Sequence, residues 1–230
     1  MHHVALAISP AIALIWFLYV RNAYRPERKT LVAVLFVGGA ASTGLALILN
    51  HLVEKYSSLW AGAPELSHRL LYWIGGIGLN EEFAKMVVLL IVLFPRRDFR
   101  VPYQGLLGAA TVAMGFAAVE NLVYLERYGT ATLLVRSLLT VPAHAFFTIP
   151  MGILMAYAKQ APTARRKYLL LLAGLGASAL LHGTYDAWLS FPSDWLNAVA
   201  YVQVALMGML TFRLMRFANR SAVPRSAPAR

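Results

Sequence analysis

The sequence predicts an all-α, polytopic membrane protein, and three observations carry that expectation. Of its 230 residues, 59% are hydrophobic and 13% charged, whereas soluble domains carry about 25% charged residues. Seven mostly apolar runs have about the length that crosses a hydrocarbon core of roughly 30 Å. The 21 Lys and Arg residues, against 10 Asp and Glu, collect in alternate connections between those runs. There is no cysteine, which excludes disulfides, a thiolate nucleophile and cysteine-ligated zinc or iron–sulfur centres. Any chemistry falls to histidine and carboxylate.

The first run, Val4–Val20, precedes Arg21 as a retained helix precedes its stop signal, and Met1-His2-His3 offers no cationic leader region. The second, Leu31–Val53, lies between Lys29 and Lys55. The third, Leu70–Phe94, lies between Arg69 and Arg96 and holds Gly75, Gly76 and Gly78, which allow close helix approach or a local break. The fourth is Tyr103–Leu125. The fifth, Thr130–Tyr157, is overlong and carries Pro142 and Pro150, so it should tilt, kink or begin late. The sixth is Tyr168–Ser190 and the seventh Leu196–Leu214. Residues 1–217 thus read as one transmembrane domain. Residues 218–230, rich in Ala, Ser, Pro and Arg, read as a disordered cytoplasmic tail. No internal repeat is evident.

Orientation follows from the basic residues, because cytoplasmic loops hold the excess. Sixteen Lys and Arg fall on one side, three (Lys55, Arg69, Arg127) on the other, and two (Lys85, Arg136) within runs. The N-terminus is therefore expected outside and the C-terminus inside. Topology and contact with lipid account for the formal charge of +11, and a nucleic-acid partner is not expected.

An ionisable residue at membrane depth costs about 2.5–3.5 kcal/mol on insertion scales. Eight such residues lie on four successive runs: Glu81, Glu82 and Lys85 on the third, Glu120 on the fourth, Arg136 and His144 on the fifth, and His182 and Asp186 on the sixth. They are expected to face one another in a polar core, roughly 6–16 Å below the outer surface at 1.5 Å per residue. Glu81 and Lys85, four apart, share a helix face and can neutralise each other, while Glu82 points about 100° away. The adjacent carboxylates repel, which suits one of them to acid–base work. His182 and Asp186 are also four apart, so that Asp186 can orient the imidazole or both can bind a metal. Each group alone also fits a packing role: an ion pair for Glu81 and Lys85, a proline-freed carbonyl for His144 after Pro142, and snorkelling or pairing with Glu126 for Arg136. Their joint occurrence at compatible depth favours a site.

At these positions the sequence resembles the PrsW family of intramembrane proteases, related to the type II CAAX prenyl proteases. Glu81-Glu82-x-x-Lys85 is similar to the family's E-E-x-x-K motif. Phe116-x-x-x-Glu120 with Asn121 resembles its F-x-x-x-E motif, His144 its lone histidine, and His182-x-x-x-Asp186 its H-x-x-x-D motif. The matched region runs from about Leu70 to Ser190. Against the CAAX enzymes, Glu120 stands where His is usual and Asp186 where Asn is common, which favours the PrsW branch. The resemblance implies an integral protein of a bacterial inner membrane. It also implies site-one cleavage of a membrane-anchored substrate, an anti-sigma factor for family members, outside the cytoplasm.

Amide hydrolysis needs an activated water, an oxyanion stabiliser and a proton for the leaving amine. Glu81 or Glu82 is expected as base, His144 as the group orienting water, and His182, fixed by Asp186, as oxyanion stabiliser or acid. Glu120 is left to hold a histidine, share a proton or ligate a metal. No cofactor is required by the sequence, which lacks H-E-x-x-H. A Zn2+ site drawn from Glu81, Glu82, Glu120, His144, His182 and Asp186 is the alternative. The rival classes are a proton-coupled transporter, which inverted repeats would favour, and a non-catalytic scaffold or receptor, which loss of these residues would favour.

Overall fold

A bilayer core offers backbone N–H and C=O groups no water, so apolar spanning segments fold as helices that satisfy their own hydrogen bonds. In the computed structural model, which describes residues 2–22 and 26–222, the chain forms α1 (His2–Val20), α2 (Lys29–Tyr56) and α3 (Leu66–Leu70). A π-helical stretch, Leu71–Gly78, leads into α4 (Leu79–Val88), and a second, Leu89–Leu93, closes that rod. Then follow α5 (Pro102–Leu138), α6 (Thr140–Lys159), α7 (Ala164–Leu189) and α8 (Asp194–Ala222). The protein is all-helical and polytopic. Helices α2, α5, α6, α7 and α8 are long and apolar enough to cross a membrane, and α1 is a shorter apolar helix. The third apolar run is assembled from pieces. Residues 66–93 keep right-handed helical backbone through every junction, giving a rod roughly 40 Å long at 1.5 Å per residue.

The overlong fifth run divides in two. Helix α5 continues past Leu125 to Gly129, where φ is 79° and ψ −174°, a backbone region open to glycine alone. Residues 130–138 then fold back: Arg136 bonds Glu120 and Asn121, which a straight helix would hold about 20 Å away. A second break at Leu139 precedes α6. Pro142 falls in the first turn, where a missing N–H is tolerated. At the other end α8 continues to Ala222, so residues 218–222 of the expected tail are helical here. The rest of that tail, residues 223–230, lies outside the described residues.

Helices α5 and α6 form the centre, with 78% and 72% of their apolar windows buried against 28–39% for α2, α7 and α8. Their crossing is set by Gly105 and Gly152, since a Cβ on either would overlap the other's carbonyl oxygen. Such small-residue contacts drive helix association in lipid, where burial of apolar surface gives no net force. Around this pair, Leu106, Met114 and Ile149 pack against α1 residues Ile15 and Leu18, while Leu89 and Leu93 close the opposite side with Val112 and Met155. The outer faces of the bundle expose Trp16, Val37, Ile48, Ile91, Leu172 and Leu206, as a lipid-facing surface requires.

Candidate active site

The ionisable residues of α4, α5, α6 and α7 meet. The close contact of the third rod with α7 makes this possible: a Cβ at Gly183 would overlap the carbonyl oxygen of Trp73 and Cα of Ile74, and one at Gly78 would stand 2.8 Å from the Gly183 nitrogen. The Leu71–Gly78 π-helical stretch lies at this contact, a distortion often found at functional sites. One turn further on, Glu81 and Glu82 face His182.

Glu82 is fully buried. Its Oε1 accepts from Lys85 Nζ at 2.7 Å and lies 2.9 Å from His182 Nδ1, while Thr148 Oγ1 donates to its Oε2 at 2.9 Å. The expected Glu81–Lys85 pair is therefore replaced by Glu82–Lys85. Spacings of three and four share a face equally well, and His182 and Thr148, arriving from other helices, select Glu82. Lys85 also stands 3.4 Å from His144 Nδ1 and 4.3 Å from the Phe116 ring centroid. An accepting carboxylate at Nδ1 places the His182 hydrogen there and leaves Nε2 facing the cavity. The expected orienting role thus passes from Asp186, 3.4 Å from Nε2, to Glu82.

Glu81 has a different position. Its Oε2 lies 3.5 Å from His182 Nε2 and is buried without a hydrogen-bond partner among the described residues. His144 Nε2 is also without one, although Glu120 Oε2 lies 2.7 Å away, in ion-pair range but outside hydrogen-bond geometry. Arg136 donates to Glu120 and Asn121 at 3.2 and 3.1 Å and stacks on Tyr124. The expected snorkelling, or pairing with Glu126, gives way to Glu120 because the reversal at Gly129 carries Arg136 back along α5. Asn121 donates to the Ala7 carbonyl of α1 and supports Arg136 from behind.

A cavity of about 390 Å³ is lined by Glu81, Glu120, His144, His182 and Asp186, together with Trp73, Tyr124, Arg136 and Tyr185. Glu82, Lys85, Phe116 and Asn121 do not reach it. Thr148, Trp73, Tyr124 and Tyr185 were not read from the sequence as part of the site. Thr148 was signalled only by its place one turn after His144 in an apolar helix, and Trp73, whose buried Nε1 has no partner among the described residues, carried no signal distinguishing it from a lipid-facing aromatic.

The donor set fits a metal. One ligand atom each from Glu81, His144 and His182 lie within 4.8 Å of one another, a nitrogen and oxygen set suited to Zn2+. Glu81 contributes a buried oxygen without a hydrogen-bond partner among the described residues, and a cation on His144 Nε2 would also meet Glu120 Oε2, 2.7 Å from that nitrogen. Glu82 behind His182 supplies the carboxylate that commonly orients a ligating imidazole. The charge of Lys85, beside His144, is offset by Glu82.

Comparison with known proteins gives one consistent answer. The family described as "PrsW family intramembrane metalloprotease" matches residues 26–214. A protein named Protease PrsW from Halalkalibacterium halodurans is 33% identical over 206 residues, covering 89% of each chain. One from Bacillus subtilis is 31% identical, covering 84% of this chain and 85% of its own. One from Geobacillus kaustophilus is 29% identical, covering 98% and 96%. No solved structure matches.

Proposed function

The chain belongs to the PrsW family of intramembrane proteases, and on that premise we propose that it hydrolyses a peptide bond of a single-span, membrane-anchored regulator, such as an anti-sigma factor, near the extracytoplasmic side of a bacterial inner membrane. The observation that carries this reading is the grouping of Glu81, His144 and His182 at the wall of a 390 Å³ cavity. The one-sided distribution of Lys and Arg supports an outside N-terminus and an inside C-terminus.

Glu81 is the general base: it faces the cavity, and its unpartnered oxygen is placed to accept a proton from water. Glu82, itself held by Lys85 and Thr148, keeps the His182 hydrogen on Nδ1; Nε2, 3.5 Å from Glu81, takes up the proton that Glu81 removes from water and then gives it to the leaving amine. His144 orients the water, and Glu120 holds His144 and Arg136 in place. Asp186 contributes a carboxylate to the cavity wall beside His182. Glu81, His144 and His182 would hold a zinc-class cation, which when bound would supply Lewis-acid polarisation of the scissile carbonyl, with Glu81 then a ligand and the proton-accepting role falling to a neighbouring carboxylate of the cavity wall.

The test is cleavage of a tagged library of single-span proteins in proteoliposomes by wild type, Glu81→Gln, His144→Ala and His182→Ala, with and without chelator. Product formed by wild type and lost in the variants supports the reading. Absence of product from wild type, with proton flux that needs the same residues, overturns it in favour of transport.

A further inference from the structure

The cavity between Arg97, Phe99, Arg100, Lys159 and Gln160, about 430 Å³ in volume, lies where the third rod ends and the loop beyond it meets the C-terminus of α6. Nothing in the protease chemistry uses it. The loop is firmly built: Gln104 accepts from the Arg100 and Val101 amides at 2.8 and 3.1 Å, and Gln160 Nε2 donates to the Arg100 carbonyl at 2.7 Å. Phe99, 1% exposed, packs edge-on to Phe94.

Every charged group lining this cavity is a cation. Arg100 Nε donates to the Arg97 carbonyl and Lys159 Nζ to the Phe94 carbonyl, which leaves further N–H groups of both free to donate. Arg97 makes no side-chain ion pair among the described residues. Of the acids nearby, Asp98 is engaged by Arg96 at 2.7 Å and Glu27 accepts from Gln104 Nε2 at 2.8 Å. Such a set of donors is complementary to an anion with several acceptor oxygens. Just beside it, Lys159 and Lys167 both stand 5.1 Å from the Phe94 ring centroid. The neighbouring start of α7 and the end of the third rod expose Tyr168, Leu169, Leu172 and Ile91. A phosphate in the cavity therefore has an apolar, lipid-facing surface next to it for acyl chains.

We propose that this cavity binds the phosphate headgroup of an anionic phospholipid. Each cation near the headgroup is worth about 1 kcal/mol, or roughly fivefold in affinity. Removing all three should weaken binding on the order of 100-fold.

The test uses the full chain in zwitterionic nanodiscs, titrated with phosphatidylglycerol or cardiolipin and read by native mass spectrometry and thermal unfolding. Parallel titrations use phosphatidylcholine, inorganic phosphate and glycerol 3-phosphate. Wild type is expected to retain an anionic lipid that Arg97→Gln/Arg100→Gln/Lys159→Gln loses, while Arg213→Gln/Arg216→Gln/Arg220→Gln on α8, equal in charge removed, changes affinity less than twofold. Arg97→Gln alone, at an exposed position with no ion pair among the described residues, should lower affinity about fivefold without altering the fold. Equal losses in both triple variants, or equal retention of phosphatidylcholine, would overturn a built site. Saturation by inorganic phosphate as tight as by lipid would overturn the lipid as its ligand.

Discussion

Replacing Gly183 by alanine should disable the site without touching a charged group. A Cβ there would overlap the Trp73 carbonyl oxygen and Ile74 Cα, both backbone atoms of the rod that carries Glu81 and Glu82. Restoring carbon contacts of about 3.5–4.0 Å requires the rod and α7 to part by about 1 Å. His182 Nδ1 and Glu82 Oε1, now 2.9 Å apart, would then lie outside hydrogen-bond range. A displacement of that size at a reacting group costs on the order of 100-fold in rate, and overpacking costs about 1–3 kcal/mol of stability. The assay is kcat/KM for a tagged single-span substrate in proteoliposomes, with unfolding monitored in detergent. The control is Gly176→Ala on the same helix, where a Cβ meets nothing within 4 Å. That variant should keep full activity and gain up to about 1 kcal/mol from helix propensity. Wild-type kcat/KM in Gly183→Ala would refute the claim that backbone contact sets the His182–Glu82 geometry.

Lys85→Met leaves the Glu82 carboxylate buried without its cation and should cost about 3–5 kcal/mol, whereas Lys85→Met/Glu82→Leu should recover stability but not cleavage; thermal unfolding and the cleavage assay separate the two. Thr148→Val removes a hydroxyl donor to Glu82 and should destabilise by about 1–3 kcal/mol, measured by denaturant-dependent unfolding. Gly129→Ala places a side chain at φ 79° and should cost about 1–3 kcal/mol, with loss of the Arg136–Glu120 contact readable as lower cleavage. Elemental analysis of purified protein should find a divalent metal in wild type and at least tenfold less in His144→Ala/His182→Ala, if the three-residue donor set holds one.

The apolar runs and the four ionisable clusters were legible because helices must span about 30 Å and because charge at that depth is costly enough to be rare. Pairing was less legible. Lys85 reaches residues three or four before it with equal ease, and the choice of Glu82 over Glu81 is made by His182, 100 residues away in sequence. The sequence leaves Arg136 to snorkel or to pair with Glu126, because one glycine in an apolar stretch does not announce a reversal, yet Gly129 turns the chain so that Glu120 lies opposite. Gly75, Gly76 and Gly78 mark Leu71–Gly78 for close helix approach or a local break, and the contact with α7 lies there, but no residue pattern marks a π-helical turn as such, and Leu89–Leu93 reads as ordinary apolar sequence.

The most direct test of the account is the initial rate of substrate cleavage by Glu81→Gln, at equal amounts of folded protein, beside Glu82→Gln and wild type. With Glu81 as the reacting carboxylate, the rate should fall on the order of 1,000-fold in Glu81→Gln, at the level of a lost general base. Cleavage by Glu81→Gln at the wild-type rate, with Glu82→Gln inactive, would contradict it.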